Sequence, residues 1–214
     1  MLQEVVGWLF PPQCGGCDAA GSGLCVRCLP HSIQPLVSRT ATLSVQSVSR
    51  YEDAVRRCVL ALKDGRRDVA RAVAERLAPF VAPKMVLVPV PTTRTRRAVR
   101  GFDGAELLAK TAAQLAGAEV RCSLAQVAGD AQRGRDRSAR LAAKGRFRCL
   151  HRFDGTEVTL LDDVMTTGST LEDCAATLRT CGAIVDRAIV FAVREHESNL
   201  ERDRAGGEQR HESR

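Results

Sequence analysis

The sequence predicts an α/β fold, a parallel sheet flanked by helices, with a small cysteine-bearing module ahead of it. Three observations predict this. Strand-length segments recur at 85–90 (MVLVPV), 157–161 and 184–193, and the first is a continuous apolar run, as expected of a strand buried on both faces. Segments with apolar residues at helical spacing lie before and between these runs, giving the strand–helix–strand alternation of a parallel sheet. Aromatic residues are only 4% of the chain, so the core is built from Val, Leu and Ala, which suits helices packed on a sheet better than a β-sandwich.

The elements follow in order. Cys14, Cys17, Cys25 and Cys28 stand in a compact Gly-rich stretch, and residues 36–49 contain a short strand. Residues 53–63 carry Val55, Val59 and Leu62 on one helical face, and 68–81 repeat the pattern with Val69, Val73, Leu77 and Phe80. After the strand at 85–90 comes a basic loop, 91–101. Asp103 is an N-cap, Glu106 completes a capping box, Ala105, Leu108, Ala112 and Leu115 form one helical face, and Gly117 is the stop. Residues 129–145 read mostly as loop. The strand at 157–161 leads into a helix over 170–181, with Leu171, Cys174, Leu178 and Cys181 inward, and Gly182 ends it before the strand at 184–193. The expected domains are a zinc module at 1–38, a helical connecting segment at 39–82 packing on the core, an α/β domain at 83–195 and a disordered tail at 196–214.

The chain has 214 residues, 44% hydrophobic and 27% charged, with a net charge of +7. That composition reads as soluble and globular. The basic balance fits nucleic acid, phosphate ligands or a membrane surface, or nothing beyond an Arg-rich surface. Residues 5–10 (VVGWLF) are too short to span a bilayer and lack the basic stretch of a signal peptide. The expected location is cytoplasmic, where thiols stay reduced, and nine Cys cannot all pair internally.

Two CxxC pairs separated by seven residues can each offer two thiolates from a tight turn, the arrangement that binds tetrahedral Zn²⁺. Four protein ligands, Cys14, Cys17, Cys25 and Cys28, leave no open position, so the metal is structural. Buried or redox-active thiols are the alternative. Cys58, Cys122, Cys149, Cys174 and Cys181 read as core residues.

The most informative segment is 160–171, LLDDVMTTGSTL. A hydrophobic strand delivers Asp162 and Asp163 at its C-terminal end, where ligands bind in open α/β sheets. Thr166, Thr167, Gly168, Ser169 and Thr170 then open a helix, and a helix N-terminus presents free N–H groups and a positive dipole end. Hydroxyls and a glycine there suit a phosphate, with the glycine permitting close backbone approach. Two acids beside an anion site are consistent with a ligand whose vicinal hydroxyls lie next to its phosphate, as in ribose 5-phosphate. The competing reading is an ordinary capped strand–helix turn.

The string 160–171 resembles the 5-phosphoribosyl-1-pyrophosphate (PRPP) motif of type I phosphoribosyltransferases. The chain as a whole resembles the ComF/GntX-like family of competence-associated phosphoribosyltransferase-like proteins. The cysteine pairs at 14–28, the Tyr-led helix at 51–63 ending in Leu-Lys, the VPVP strand end at 88–91 and the Arg100-Gly101-Phe102 segment carry that resemblance.

The resemblance implies a type I phosphoribosyltransferase-like α/β fold and a role for each motif. Asp162 and Asp163 bind the ribose hydroxyls, directly or through Mg²⁺, and Thr166, Thr167, Gly168, Ser169 and Thr170 hold the 5-phosphate. Arg94, Arg96, Arg97 and Arg100 lie near the pyrophosphate loop, with Arg97 and Arg100 the implied PRPP contacts. Residues 132–146 correspond to a mobile flap, in which Gln132, Gly134 and Arg140 fit the family pattern while Ala143 stands where the family has Asn. The implied activity is transfer of a phosphoribosyl group from Mg-PRPP to a nitrogenous acceptor. The alternative is a PRPP-binding adaptor serving DNA uptake or nucleotide metabolism, with competence or DNA-processing proteins as partners. Single-stranded DNA is not indicated, and the acceptor has no signature in the sequence.

Overall fold

The computed structural model describes residues 11–30, 34–93, 97–98, 101–127 and 146–194. The expectations placed on 5–10, on Arg94, Arg96 and Arg100, on most of the flap and on the tail lie outside these residues.

The described elements are β1 (Leu36–Arg39), β2 (Ser44–Arg50), α1 (Asp53–Lys63), α2 (Arg67–Leu77) with a 3₁₀ turn at Ala78–Phe80, β3 (Val86–Pro89), α3 (Gly104–Ala116), β4 (Glu119–Val120), β5 (Leu124–Gln126), β6 (Phe147–Cys149), β7 (Glu157–Met165), α4 (Ser169–Thr180) and β8 (Ile184–Val193). In α1, Val55, Cys58, Val59 and Leu62 are buried, with Asp53 in the first turn and Lys63 in the last, so its charges complement the helix dipole. The second helix converts to a 3₁₀ turn where Pro79 brings no N–H donor. Asp103 caps α3 by accepting from the backbone N–H groups of Ala105 and Glu106, and Gly117 closes it at φ 72°. The Glu106 carboxylate does not complete a capping box here: Lys110 holds it at 2.7 Å and Arg97 at 3.3 Å.

Six strands form one sheet in the order β1-β2-β8-β7-β3-β4. Every pairing is parallel except β1 with β2. The expected sheet is therefore mainly parallel, with one antiparallel edge strand. β2, within the 39–82 segment, enters this sheet beside β8, pairing Val45 with Ala188. Helices cover both faces, and consecutive residues of a strand serve opposite cores. Leu161, Ile189 and Phe191 join the core under α1, α2 and α3, while Leu160, Ala188 and Val190 join the core under α4.

Two departures bear on the site. The strand at 157–161 continues to Met165, because β8 keeps pairing with it through Asp162↔Val190, Val164↔Ala192 and Met165↔Val193. The other neighbour stops earlier: β3 pairs only as far as Pro89↔Leu161, and the Val90 N–H donates to the Leu161 carbonyl at 2.9 Å. Asp162 and Asp163 therefore keep β8 on one side and face open space on the other. The second departure is a two-stranded antiparallel ribbon, β5 with β6, built from strands of three residues each. The expectation that Cys122 belongs to the core is also corrected, since it is exposed, whereas Cys58 and Cys174 are buried.

No helix among the described residues is long and apolar enough to cross a membrane.

Candidate ligand site and metal centre

The sheet changes direction between β3 and β7. From β3 the chain builds outward through α3 to β4; β7 lies on the opposite side of β3 and builds through α4 to β8. Crevices at such a switch point, outside the carboxyl ends of the strands, are where open α/β sheets bind ligands. A cavity of about 290 Å³ lies there. Its walls come from the loop after β3 (Thr92, Thr93), the start of α3 (Asp103, Gly104), Lys63 at the end of α1, the β5–β6 ribbon (Gln126, Phe147), and Asp162, Asp163 and Thr170.

Two helices point their N-termini at this cavity, but they are not equivalent. The α3 terminus is already occupied by a carboxylate, because Asp103 is buried, caps Ala105 and Glu106, and also accepts the Thr92 N–H at 2.9 Å. The α4 terminus begins at Gly168, which has no side chain to cap it. Thr167 and Ser169 are exposed there and hydrogen-bond each other at 3.2 Å. The Arg146 guanidinium stands over the same turn, 2.6 Å from Asp173 Oδ2 and 3.4 Å from Ser169 Oγ. Ser169 N–H donates to Thr167 Oγ1 at 3.4 Å, and the first-turn N–H groups, hydroxyls and guanidinium gathered on this helix end are groups that could hold an anion.

Gly168 also meets a packing requirement within the fold. Its φ is +77°, and a Cβ there would stand 2.5 Å from Thr40 Cγ2. The β1–β2 turn thus lies directly against the turn that opens α4. Glu172, in the first turn of α4, clamps it: the Thr42 N–H and hydroxyl each donate at 2.7 Å, and the Thr40 hydroxyl donates as well.

The two acids have different surroundings. Asp162 is half-buried in the cavity wall; that burial, then the neighbouring Asp163, pushes its pKa well above the usual carboxylate range. Its Oδ1 accepts the Asp163 N–H at 2.8 Å. Asp163 Oδ2 lies 3.5 Å from Lys63 Nζ. The pair thus offers one carboxyl biased toward the neutral acid and one paired with an ammonium.

Of the other expected contacts, Thr170 lines the cavity, while Thr166, Thr167 and Ser169 are exposed at its edge. Arg97 is exposed and turned to Glu106. Lys63 was given no role by sequence reasoning; the only signal was its place at the end of the Leu-Lys helix.

The second site is the cysteine group. The sulfurs of Cys14, Cys17, Cys25 and Cys28 all lie within 4.8 Å of one another, and Cys17 and Cys25 are 3.7 Å apart. A tetrahedral metal with bonds of about 2.3 Å sets its sulfurs about 3.8 Å apart, so these residues could hold a structural metal such as zinc. Cys14 Sγ accepts N–H groups from Gly16 at 3.4 Å and Cys25 at 3.3 Å. The Cys28 N–H, together with the neighbouring thiols, lowers the Cys25 thiol to about 6, against the opposing effect of burial. The group is seated on α1 and α2. A Cβ at Gly23 would stand 2.2 Å from the Asp68 carbonyl oxygen, and Arg57 and Arg66 donate to the carbonyls of Gly16 and Gln13. Buried Cys58, whose thiol is pushed up to about 12 chiefly by burial, lies beneath the group and outside it.

The fold and site define an α/β protein with a mainly parallel sheet, a cavity at its switch point and a four-cysteine group that could bind metal. No family model matches the chain and no curated protein matches it.

Proposed function

We propose that this chain is a phosphoribosyltransferase-family protein of the ComF/GntX-like kind that binds Mg-PRPP and transfers its phosphoribosyl group to a nitrogenous acceptor, releasing pyrophosphate. The observation that carries the reading is the meeting of an uncapped α4 N-terminus and an adjacent carboxylate pair in one switch-point cavity. A 5-phosphate fits the first and ribose hydroxyls the second. The 5-phosphate takes the N–H groups and hydroxyls of residues 166–170, with Arg146 beside it. Asp163 accepts from a ribose hydroxyl. The pyrophosphate lies toward the loop after β3, and the Mg²⁺ travels with it. Departure of pyrophosphate gives an oxocarbenium-like transition state, so the protein acts mainly by positioning and electrostatics.

Titration calorimetry with Mg-PRPP and with ribose 5-phosphate tests this. Wild type binds both, and Asp163→Asn loses roughly tenfold to a hundredfold in affinity, the worth of one hydrogen bond to a charged group. Absence of binding at millimolar ligand sinks the proposal. Turnover of radiolabelled PRPP with a panel of nucleobases separates a transferase from a PRPP-binding adaptor.

A further inference from the structure

We infer that Lys63 is the resident cation of the carboxylate pair, so that the ribose-binding half of the cavity works without a divalent metal ion of its own. The inference rests on the reading of the cavity as a phosphoribosyl site and specifies how that site treats metal.

The geometry that supports it begins in α1. Lys63 is the last residue of that helix, where the negative end of the dipole favours a cation. Gly65 turns the chain away at φ +92°, and Phe102 packs on it: a Cβ at position 65 would stand 3.1 Å from Phe102 Cε1. This contact fixes the end of α1 against the segment that enters α3, and both Leu62 and Lys63 form part of the cavity wall. The ammonium is 3.5 Å from Asp163 Oδ2, and the pair is only partly solvent-exposed.

Among the described residues, the other charges that line the cavity are already engaged. Asp103 is spent on three backbone N–H groups, and Arg146 is held by Asp173 across the phosphate loop. Lys63 is left as the cation facing Asp162 and Asp163 among the described residues. A divalent ion bridging the two acids would have to displace it and meet a like charge at short range. In this arrangement Mg²⁺ enters with the pyrophosphate, and Lys63 holds the Asp163 side chain aimed at the sugar. Lys63 is thus a positioning residue.

Ribose 5-phosphate isolates the question, because it lacks the pyrophosphate that chelates Mg²⁺. Its affinity, measured by calorimetry on the full chain, is expected to agree within twofold between EDTA and millimolar Mg²⁺. Lys63→Met should weaken it about tenfold in EDTA, with Mg²⁺ restoring part of the loss, and Lys63→Arg should keep most of it. The assignment is overturned if EDTA costs the wild type tenfold, or if Lys63→Met binds as tightly as wild type in EDTA. If the wild type binds no ribose phosphate under any condition, the phosphoribosyl reading fails, and Mn²⁺ titration of the ligand-free protein by electron paramagnetic resonance decides the Lys63 assignment separately. Mn²⁺ retained by Lys63→Met and not by wild type supports it; any other pattern overturns it.

Discussion

The methyl group of Thr40 occupies the space that a side chain at position 168 would need, 2.5 Å from where its Cβ would stand. Residues far apart in sequence thus fix each other's identity. Gly168→Ala is expected to cost roughly 2–4 kcal/mol, from the left-handed backbone and the collision together. Thr40→Ser keeps the hydroxyl and deletes the colliding methyl, so the double mutant should recover about 1 kcal/mol or more relative to additivity. Urea unfolding of the three variants measures this. Strict additivity would show that backbone strain alone demands the glycine.

Glu172 ties the same turn down. Burial works against its charge, but hydrogen bonds from Thr40 and Thr42 win and hold its pKa below the usual value. A depressed carboxylate pKa contributes stability above the unfolded-state pKa and loses it as pH falls through the folded value. Glu172→Gln should therefore cost on the order of 1 kcal/mol at pH 7. That difference should shrink as pH falls below the ordinary Glu range. A difference that is flat with pH would show that the charge is irrelevant.

Asp162 predicts the opposite slope. Its folded pKa is raised, so the native state holds a proton that the unfolded chain releases, and stability falls as pH rises from about 4 upward. Asp162→Asn should raise Tm by a few degrees at pH 8, with the gain disappearing near pH 4. A loss of stability at pH 8 would mean that the ionised form is the one the fold requires.

The cysteine group predicts one equivalent of bound metal. Cys17→Ser should lose it and lower Tm, because building such a site is coupled to folding. Cys58→Ala should keep the metal while destabilising by about 1 kcal/mol through a small cavity. Elemental analysis of protein purified without chelator gives the count. Four freely titrating thiols and no metal would remove the site.

Much of the frame was legible in local pattern. The helix at 53–63 and the strand at 184–193 have the boundaries expected, because apolar spacing and end signals there agree with the tertiary fold. The strand at 157–161 was read as ending before the acids, since two aspartates break an apolar run; the partner strand β8 overrides that break. The β5–β6 ribbon was illegible because three-residue strands carry no period. The cavity's acids and the turn that opens α4 were visible as a contiguous string. Arg146 was legible only as part of the basic flap, and Lys63 and the Thr40–Gly168 contact were not legible, because only the folded topology brings them to that string.

The position of β8 has a consequence for how the chain is made. The last described strand in sequence lies between β2 and β7 in space, so the sheet has a missing centre until residues 184–193 leave the ribosome. Before then α1, α2 and the cysteine group can settle locally, while β2 and β7 expose unpaired edges. Nascent chains stalled before β8 should depend on chaperones, and closure of the sheet should be a late, slow event governed by contacts of high sequence separation.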